Sequence, residues 1–591
     1  MSRFLLHFIA ILGLCCFAAC ITHNIGDANK LISLFDGVKS KLEADINLTG
    51  DLDFKSSGLQ YPLGGKSYLG RVTYKGTLHG NGHIVKGLVL NTKSSDTNKG
   101  YTGLFSILSD ATIENLVIDS SCSFTGTTTG ALSPSVSGSL TLVNVTNRAS
   151  VTGSFFVGGF VGQYTSANGQ TNPLVSFDGC VNDGSVTGAS NGVGGFIGEI
   201  GTSVNISCSN SINKGTVSSQ GAGVGGFVGY ISSGIGTDIV FSSCTNDGYI
   251  FGNDYYVGGL VGRMASNTDA SVMLSDCINN GNVSSLENRN KNYCVGGMIG
   301  YVSDHENGYI SLSRCVNHGN ITADTFVGGM IGICSRNPNN LVSVSKCINN
   351  GVINAVYNSA GGMVGRFDQN THITVRVFNM VNNGAIHANT FSGGLVGDIY
   401  SGPSNSIDLN LISCTNRGDV SADTQHACGM FCVNTNYESG VNANVFNSVN
   451  KGSIRAGTDA YGIANKIQSA RNIVSMGLVN ARSSYNITWG TSVDVDLYYG
   501  LKGICTQCHT PLFEQRQDNM FYFLDSDERV DERLTAEAAK QRYGAAWTAE
   551  LDIICKPIVT VDGIVNKSFI VEPGTQLGDI TNISMYFNEI Y

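Results

Sequence analysis

The sequence predicts an all-β protein, a parallel β-helix (solenoid) of about 12 coils with an N-terminal cap and a small C-terminal α+β region. Three observations predict it. A Gly-Gly block recurs at Val157, Val193, Val224, Val257, Val295, Val327, Ala360 and Ser392, and in worn form at Ala427 and Ala460, at spacings from 31 to 38 residues. A second landmark, x-Asn-x-Gly, follows each block from Val157 to Ala427, and its Asn recurs as Asn480 after the last. Between the landmarks lie β-rich pieces of five to seven residues, divided by Gly, Asn, Asp and Ser, with no ten-residue amphipathic pattern.

Each unit reads as one coil of about three strands, exemplified by "VGGMIG", "YISLSRC" and "NITAD". One coil cannot bury its inner face alone, whereas stacked coils share a continuous core. Helical repeats of similar length need helix formers that are absent here, and a leucine-rich repeat needs a Leu comb. Charged residues are only 14% of the chain and hydrophobic residues 42%, so a core can form and disorder is excluded. The net charge of −10 over 591 residues, without long charged runs, points away from nucleic acid and anionic membranes.

In order along the chain, residues 1–20 have the form of a secretory signal peptide: Arg3, the apolar run Phe4–Ala19 and the small-residue end "CFAAC". Residues 21–100 form the N-terminal cap and opening coils, with a helix expected within Gly26–Lys41. Residues 101–492 form the β-helix repeats of about 33 residues. Residues 493–555 form a C-terminal capping region with a helix over Leu534–Asp552, N-capped by Thr535. Residues 556–591 form a small β-hairpin, turning at Asp562–Gly563, or part of a β-grasp-like module. No 18-residue apolar run marks a transmembrane segment after the leader. The expected location is therefore extracellular, secreted or loosely attached to the surface.

Stacking turns each recurring position into a ladder. The structural Asn ladder comprises Asn147, Asn182, Asn213, Asn246, Asn279, Asn317, Asn349, Asn382, Asn416, Asn450 and Asn480, each able to bond its own turn and the next Asn. The Gly two residues later suits a corner of positive φ. Two residues before the Asn stands a Cys ladder, Cys180, Cys244, Cys277, Cys315, Cys347 and Cys414, interrupted by Ser and Met. In-register Cβ atoms about one coil apart exceed the usual disulfide spacing of about 3.5–4.5 Å, which favours buried thiols over bridges. Phe160, Phe196, Phe227, Leu260, Met298, Met330, Met363 and Leu395 form one apolar ladder. Val161 and its equivalents form another, expected on the opposite strand face.

The blocks "VGGFVG", "VGGLVG" and "VGGMIG", followed by C-x-N-x-G, resemble the GLUG-motif repeat family over about residues 27–490. The resemblance implies a right-handed β-solenoid on secreted or surface proteins of bacteria and protists, often adhesin-like. Some members carry a metallopeptidase domain with H-E-x-x-H. Here "HENGY" has Tyr309 where the second His would stand, so that activity does not carry over.

Candidate chemistry is sparse. "CTQCH" at Cys505–His509 has haem-attachment spacing, but lacks a cytochrome pattern around it. A disulfide among Cys505, Cys508 and Cys555 is the expected reading. "DSDERVDE" lacks the Gly of a calcium loop, and "GNGH" (Gly80–His83) reads as a turn. The candidate N-glycosylation sequons are Asn47, Asn144, Asn205, Asn282, Asn320, Asn486, Asn566 and Asn582. Acidic residues do not recur at one repeat position: Asp183 and Asp247 share theirs with Lys214, Asn280, His318, Asn350 and Arg417. The expectation is therefore no enzyme, no cofactor and no metal. The chain reads as an adhesin-like scaffold, binding a host or environmental glycan or protein through variable loops such as Thr165–Asn172 and Ser284–Asn292. The alternatives are a carbohydrate-active β-helix enzyme, either lyase or hydrolase, and a structural coat protein.

Overall fold

The computed structural model describes residues 21–467, apart from 67–68, 166–172, 233–237, 266–269, 286–292, 304–305, 337–338, 369–371, 401–405 and 435–439, and short strands beyond. From Thr77 to Val433 each coil runs through five short strands rather than the expected three. One coil comprises Leu174–Asp178, Val181–Asn182, Val186–Gly188, Val193–Gly194 and Ile197–Ile200. Every strand pairs in parallel with its counterpart one coil away, building five sheets of 15, 14, 13, 13 and 13 strands. Along a coil they follow in that order, first to fifth.

Two bends split the expected pieces. The residue before the Cys-ladder position has positive φ: Asn144, Gly179, Asn210, Ser243, Asp276, Arg314, Lys346, Asn379, Ser413 and Asn447. That left-handed residue turns the chain from the first sheet to the second. The second bend is the Gly-Gly block, which separates the fourth sheet from the fifth. There Phe160 and Val161 both donate a backbone N–H to the Phe196 carbonyl, at 3.0 Å each. The chain corners between them, so strand alternation does not apply. Phe160 and Val161 are both buried in the core, which corrects the expectation that their ladders lie on opposite faces.

The glycine after the ladder Asn is required for another reason than positive φ, which none of these residues adopts. A Cβ built on Gly184 would lie 1.9 Å from the Ala149 carbonyl oxygen, and one on Gly215 would lie 2.0 Å from that of Gly184. Coils approach so closely at this corner that only hydrogen fits.

The core is one continuous column of Val, Ile, Leu, Phe, Met and Cys. Inward positions of the first sheet illustrate it: Val175, Ile206, Ile239, Val272 and Ile310 stack in register and are buried. The polar partners point outward, as the two-residue period requires.

At the N-terminal end, Thr22–Ile25 pairs in parallel with Asp45–Leu48, and a helix at Ala28–Asp36 follows it. The Asp27 carboxylate caps this helix by accepting from the Lys30 N–H at 2.9 Å. Leu31 and Phe35 are buried, with the Phe35 ring 6.0 Å from Tyr74 and 5.7 Å from Phe105. "GNGH" forms a turn, with Asn81 and Gly82 at positive φ ahead of the strand Ile84–Lys86.

Beyond the solenoid, Lys502–Ile504, Phe513–Gln515, Phe521–Leu524, Val530–Leu534 and Asp552–Ile554 form an antiparallel sheet. Leu534 thus ends a strand instead of opening a helix. The rest of the expected helix lies almost wholly outside the described residues. Lys556–Val559 and Val565–Phe569 pair antiparallel.

Candidate functional site

The Asn ladder lies on the second sheet, pointing inward and fully buried from Asn147 to Asn450. Each amide Nδ2 donates twice. Asn279 Nδ2 bonds the Gly281 carbonyl at 2.9 Å and Asn317 Oδ1 at 2.7 Å; Asn317 repeats this to Gly319 and Asn349 at 2.9 and 2.7 Å. The chain of amides runs from Asn147 to Asn450 and ends on Ser475 Oγ at 3.2 Å. Asn480 stands elsewhere: backbone register pairs it with Arg455 on the third sheet, because the last coil is shorter. Across the lumen the ladder meets the Gly-Gly block. A Cβ on Gly159 would lie 2.6 Å from Asn182 Oδ1.

Cys180, Cys244, Cys277, Cys315, Cys347 and Cys414 are buried free thiols. Each Sγ donates to carbonyls at its corner: Cys244 to Cys208 at 3.3 Å and to Ser242 at 3.5 Å, Cys277 to Ser275 at 3.3 Å. Ser211 and Ser448 make the equivalent bond through Oγ at 2.8 and 2.9 Å, so serine replaces cysteine there. Burial pushes the Cys180 thiol up to about 11 and Cys414 to about 12. This ladder is structural.

The sequons Asn144, Asn282 and Asn320 are exposed, while Asn47 and Asn205 are half-buried. Asn282 Oδ1 accepts the Asn320 N–H at 2.9 Å, and Asn320 Oδ1 accepts that of Val352 at 3.0 Å. Asn566 lies on the strand Val565–Phe569. Asn486, Asn582, Cys505, Cys508 and Cys555 lie outside the described residues.

A disulfide that the sequence reading missed joins Cys428 to Cys432, with Cα atoms 5.6 Å apart. In "ACGMFC" these two replace the first and last glycines of the "VGGMIG" block. Their joint replacement in one unit was the available signal.

The feature with most chemical content is an outward stripe along the fifth sheet. It is formed by the residue directly after the last glycine of each block: Gln163, Glu199, Tyr230, Arg263, Tyr301, Ile333, Arg366 and Asp398 stack in register. The fourth sheet supplies a flanking column that includes Cys294, Phe326 and Phe391.

Two stations stand out within it. At the first, the Arg263 guanidinium lies 4.8 Å from the Tyr230 ring centroid and 4.9 Å from that of Tyr256. Tyr256 stacks on Tyr301 at 4.2 Å. Arg263 Nε is buried without a hydrogen-bond partner, and no carboxylate among the described residues pairs with this guanidinium. At the second station, Arg366 lies over Phe326 at 4.9 Å and over Tyr400 at 4.4 Å. Its Nη2 meets Asp368 at 3.2 Å and its Nε lies 3.6 Å from Asp398. Asp398 is 1% exposed, and neither of its oxygens receives a hydrogen bond. Burial pushes its carboxyl up to about 6, against the pull of Arg366. Glu199, further along the stripe, is raised to about 7 by burial. Aromatic faces between charged groups suit a ligand with alternating apolar and polar surfaces.

A separate grouping lies on the outer third sheet. Ser421 Oγ is 3.0 Å from His387 Nδ1, and His387 Nε2 is 3.5 Å from Asp423. His387 stands opposite Ser421 in register, and Asp423 follows two residues later. Among the described residues no cluster of three His, Cys, Asp or Glu could hold a metal.

No family model matches the chain, and no curated protein matches it. A crystal structure of "a putative immunoglobulin A1 protease from Bacteroides ovatus" is similar over 44% of this chain and 77% of its own, at 22% identity and a TM-score of 0.36. On this finding the expectation that the chain is not an enzyme is withdrawn, since a structurally similar protein bears a protease's name. At that score the likeness assigns no activity to this chain.

Proposed function

We propose that this chain is a secreted or surface-held β-solenoid that presents a binding face, adhesin-like, to a host or environmental glycan. The observation that carries the reading is the stripe from Glu199 to Asp398, where arginines lie against tyrosine and phenylalanine rings on the outside of a rigid sheet. The inside is filled and hydrogen-bonded, so specificity belongs outside, where side chains escape the ladder constraint. The Cys428–Cys432 disulfide supports an oxidising compartment, in keeping with the leader-like residues 1–20. Membership of the GLUG-motif family remains part of this proposal, on the strength of the repeat blocks. The test is saturable binding of the purified protein to a glycan array and to cells. Signal that a variant with Tyr256, Tyr301 and Tyr400 changed to Ala loses, while keeping its fold, supports the reading. Signal that survives unchanged in that variant overturns it.

One observation favours a second reading, a hydrolase acting on esters of a polysaccharide. With its proton on Nε2, His387 directs N–H toward Asp423 and can accept the Ser421 hydroxyl proton on Nδ1. Fluorophosphonate labelling that Ser421→Ala abolishes would support it; no labelling would remove it.

A further inference from the structure

We infer that the Arg263 station is a subsite for an acidic sugar, with the sugar face on tyrosine and its carboxylate or sulfate on the guanidinium. This rests on the glycan-binding reading and names the ligand class. An arginine against protein is ordinarily neutralised by a carboxylate, as Arg366 is by Asp368 and Asp398, and Arg314 is by Asp276 at 2.6 Å. Arg263 is held by rings alone: Tyr230 at 4.8 Å, Tyr256 at 4.9 Å and Tyr301 at 6.0 Å. Rings hold the cation without using its in-plane N–H donors, and the buried Nε–H stays unpaired. A planar fork of free donors matches a carboxylate or sulfate in two-point contact. The neighbouring tyrosine faces suit the C–H face of a pyranose.

The remainder of the chain makes such binding informative. Its net charge is −10, so a polyanion is repelled by the protein as a whole and needs a local site. The site also has a direction. Three coils further along the same column, at roughly 14 Å from a coil spacing of about 4.8 Å, stands Arg366. That arginine is already paired and flanked by Phe326 and Tyr400. An extended oligosaccharide along the column would place its acid group at Arg263 and a later sugar face on the half-buried Tyr400 ring beside Arg366.

The test is titration calorimetry of the full chain at 0.15 M salt with three probes: hexagalacturonate, a heparin-derived hexasaccharide and maltohexaose. Arg263→Met keeps the aliphatic stem between the rings, and Arg148→Met removes an exposed cation elsewhere. Both must match the wild type in far-UV dichroism. The expected result is binding of at least one acidic probe, weakened tenfold or more by Arg263→Met and unchanged by Arg148→Met. The probe that binds tells uronate from sulfate. Equal binding of maltohexaose, equal loss in both variants, or no binding of any probe would overturn the inference. If the glycan array still shows a tyrosine-dependent signal, the broader reading survives that failure; a blank array removes both.

Discussion

Asn279 Nδ2 donates to Asn317 Oδ1 at 2.7 Å across thirty-eight residues of chain. The contact is buried, and each partner repeats it with its other neighbour. Removing one member strands groups on both sides. Asn317→Ala leaves the Asn279 Nδ2 donor, the Asn349 Oδ1 acceptor and the Gly319 carbonyl unsatisfied. At about 1–3 kcal/mol per buried orphan, with partial relaxation, the loss should be roughly 2–4 kcal/mol. Asn350→Ala, one residue past a ladder position but exposed, should cost under about 0.5 kcal/mol. Urea denaturation of the two variants checks the contrast.

The Gly-Gly block predicts a steric contrast. A Cβ on Gly297 would lie 2.1 Å from the Gly329 carbonyl oxygen and 2.8 Å from Asn317 Cγ. Gly297→Ala should destabilise by roughly 3 kcal/mol or more, because backbone and ladder must both move. Gly37, at the helix C-terminus, has φ −79° and open space around its would-be Cβ. Gly37→Ala should stabilise by about 0.4–1 kcal/mol. Thermal melts of both variants measure the difference.

How much of this was legible depends on what each position shares between coils. Asn279 and Asn317 repeat the same chemistry on schedule, so the ladder and the parallel stack follow from recurrence. The five-strand coil was hidden, because its extra bends use residues as unlike as Asn210, Ser243 and Arg314, united only by φ. The stripe was hidden for the same reason: Glu199, Tyr230, Arg263 and Asp398 share a column and no chemistry. Reading the residue after each block's last glycine as a single column recovers it. Asn480 misled because its sequence context repeats while the last coil is shorter.

The Cys428–Cys432 bridge closes a short loop within a block that elsewhere has glycine. Its chain-entropy contribution is about 2 kcal/mol for a loop of this size. Cys428→Ser with Cys432→Ser should lose about that much, whereas reduction should leave the coil folded. Cys428→Gly with Cys432→Gly restores the consensus block and should recover part of the loss. Melting with and without reductant separates these effects.

Asp398 sets a pH dependence. Its folded carboxyl is raised to about 6 by burial, above its ordinary value, so the folded state binds the proton more tightly than the unfolded chain. The resulting stability is present below about pH 4 and is lost as pH rises through about 6, by on the order of 2–3 kcal/mol. Glu199, raised to about 7, acts in the same direction. His426, lowered by burial, acts oppositely, favouring the folded state as pH rises. Asp398→Asn should flatten the fall between pH 4 and 7 in melts taken across that range.

Hydrogen exchange on full-length Asn317→Ala tests most directly whether coil-to-coil contacts carry the fold. Protection should drop first in peptides holding Asn279 and Asn349, fade along the axis, and stay unchanged around Asn147 and Asn182. Uniform loss across every coil, or unaltered exchange next to the substitution, would contradict it.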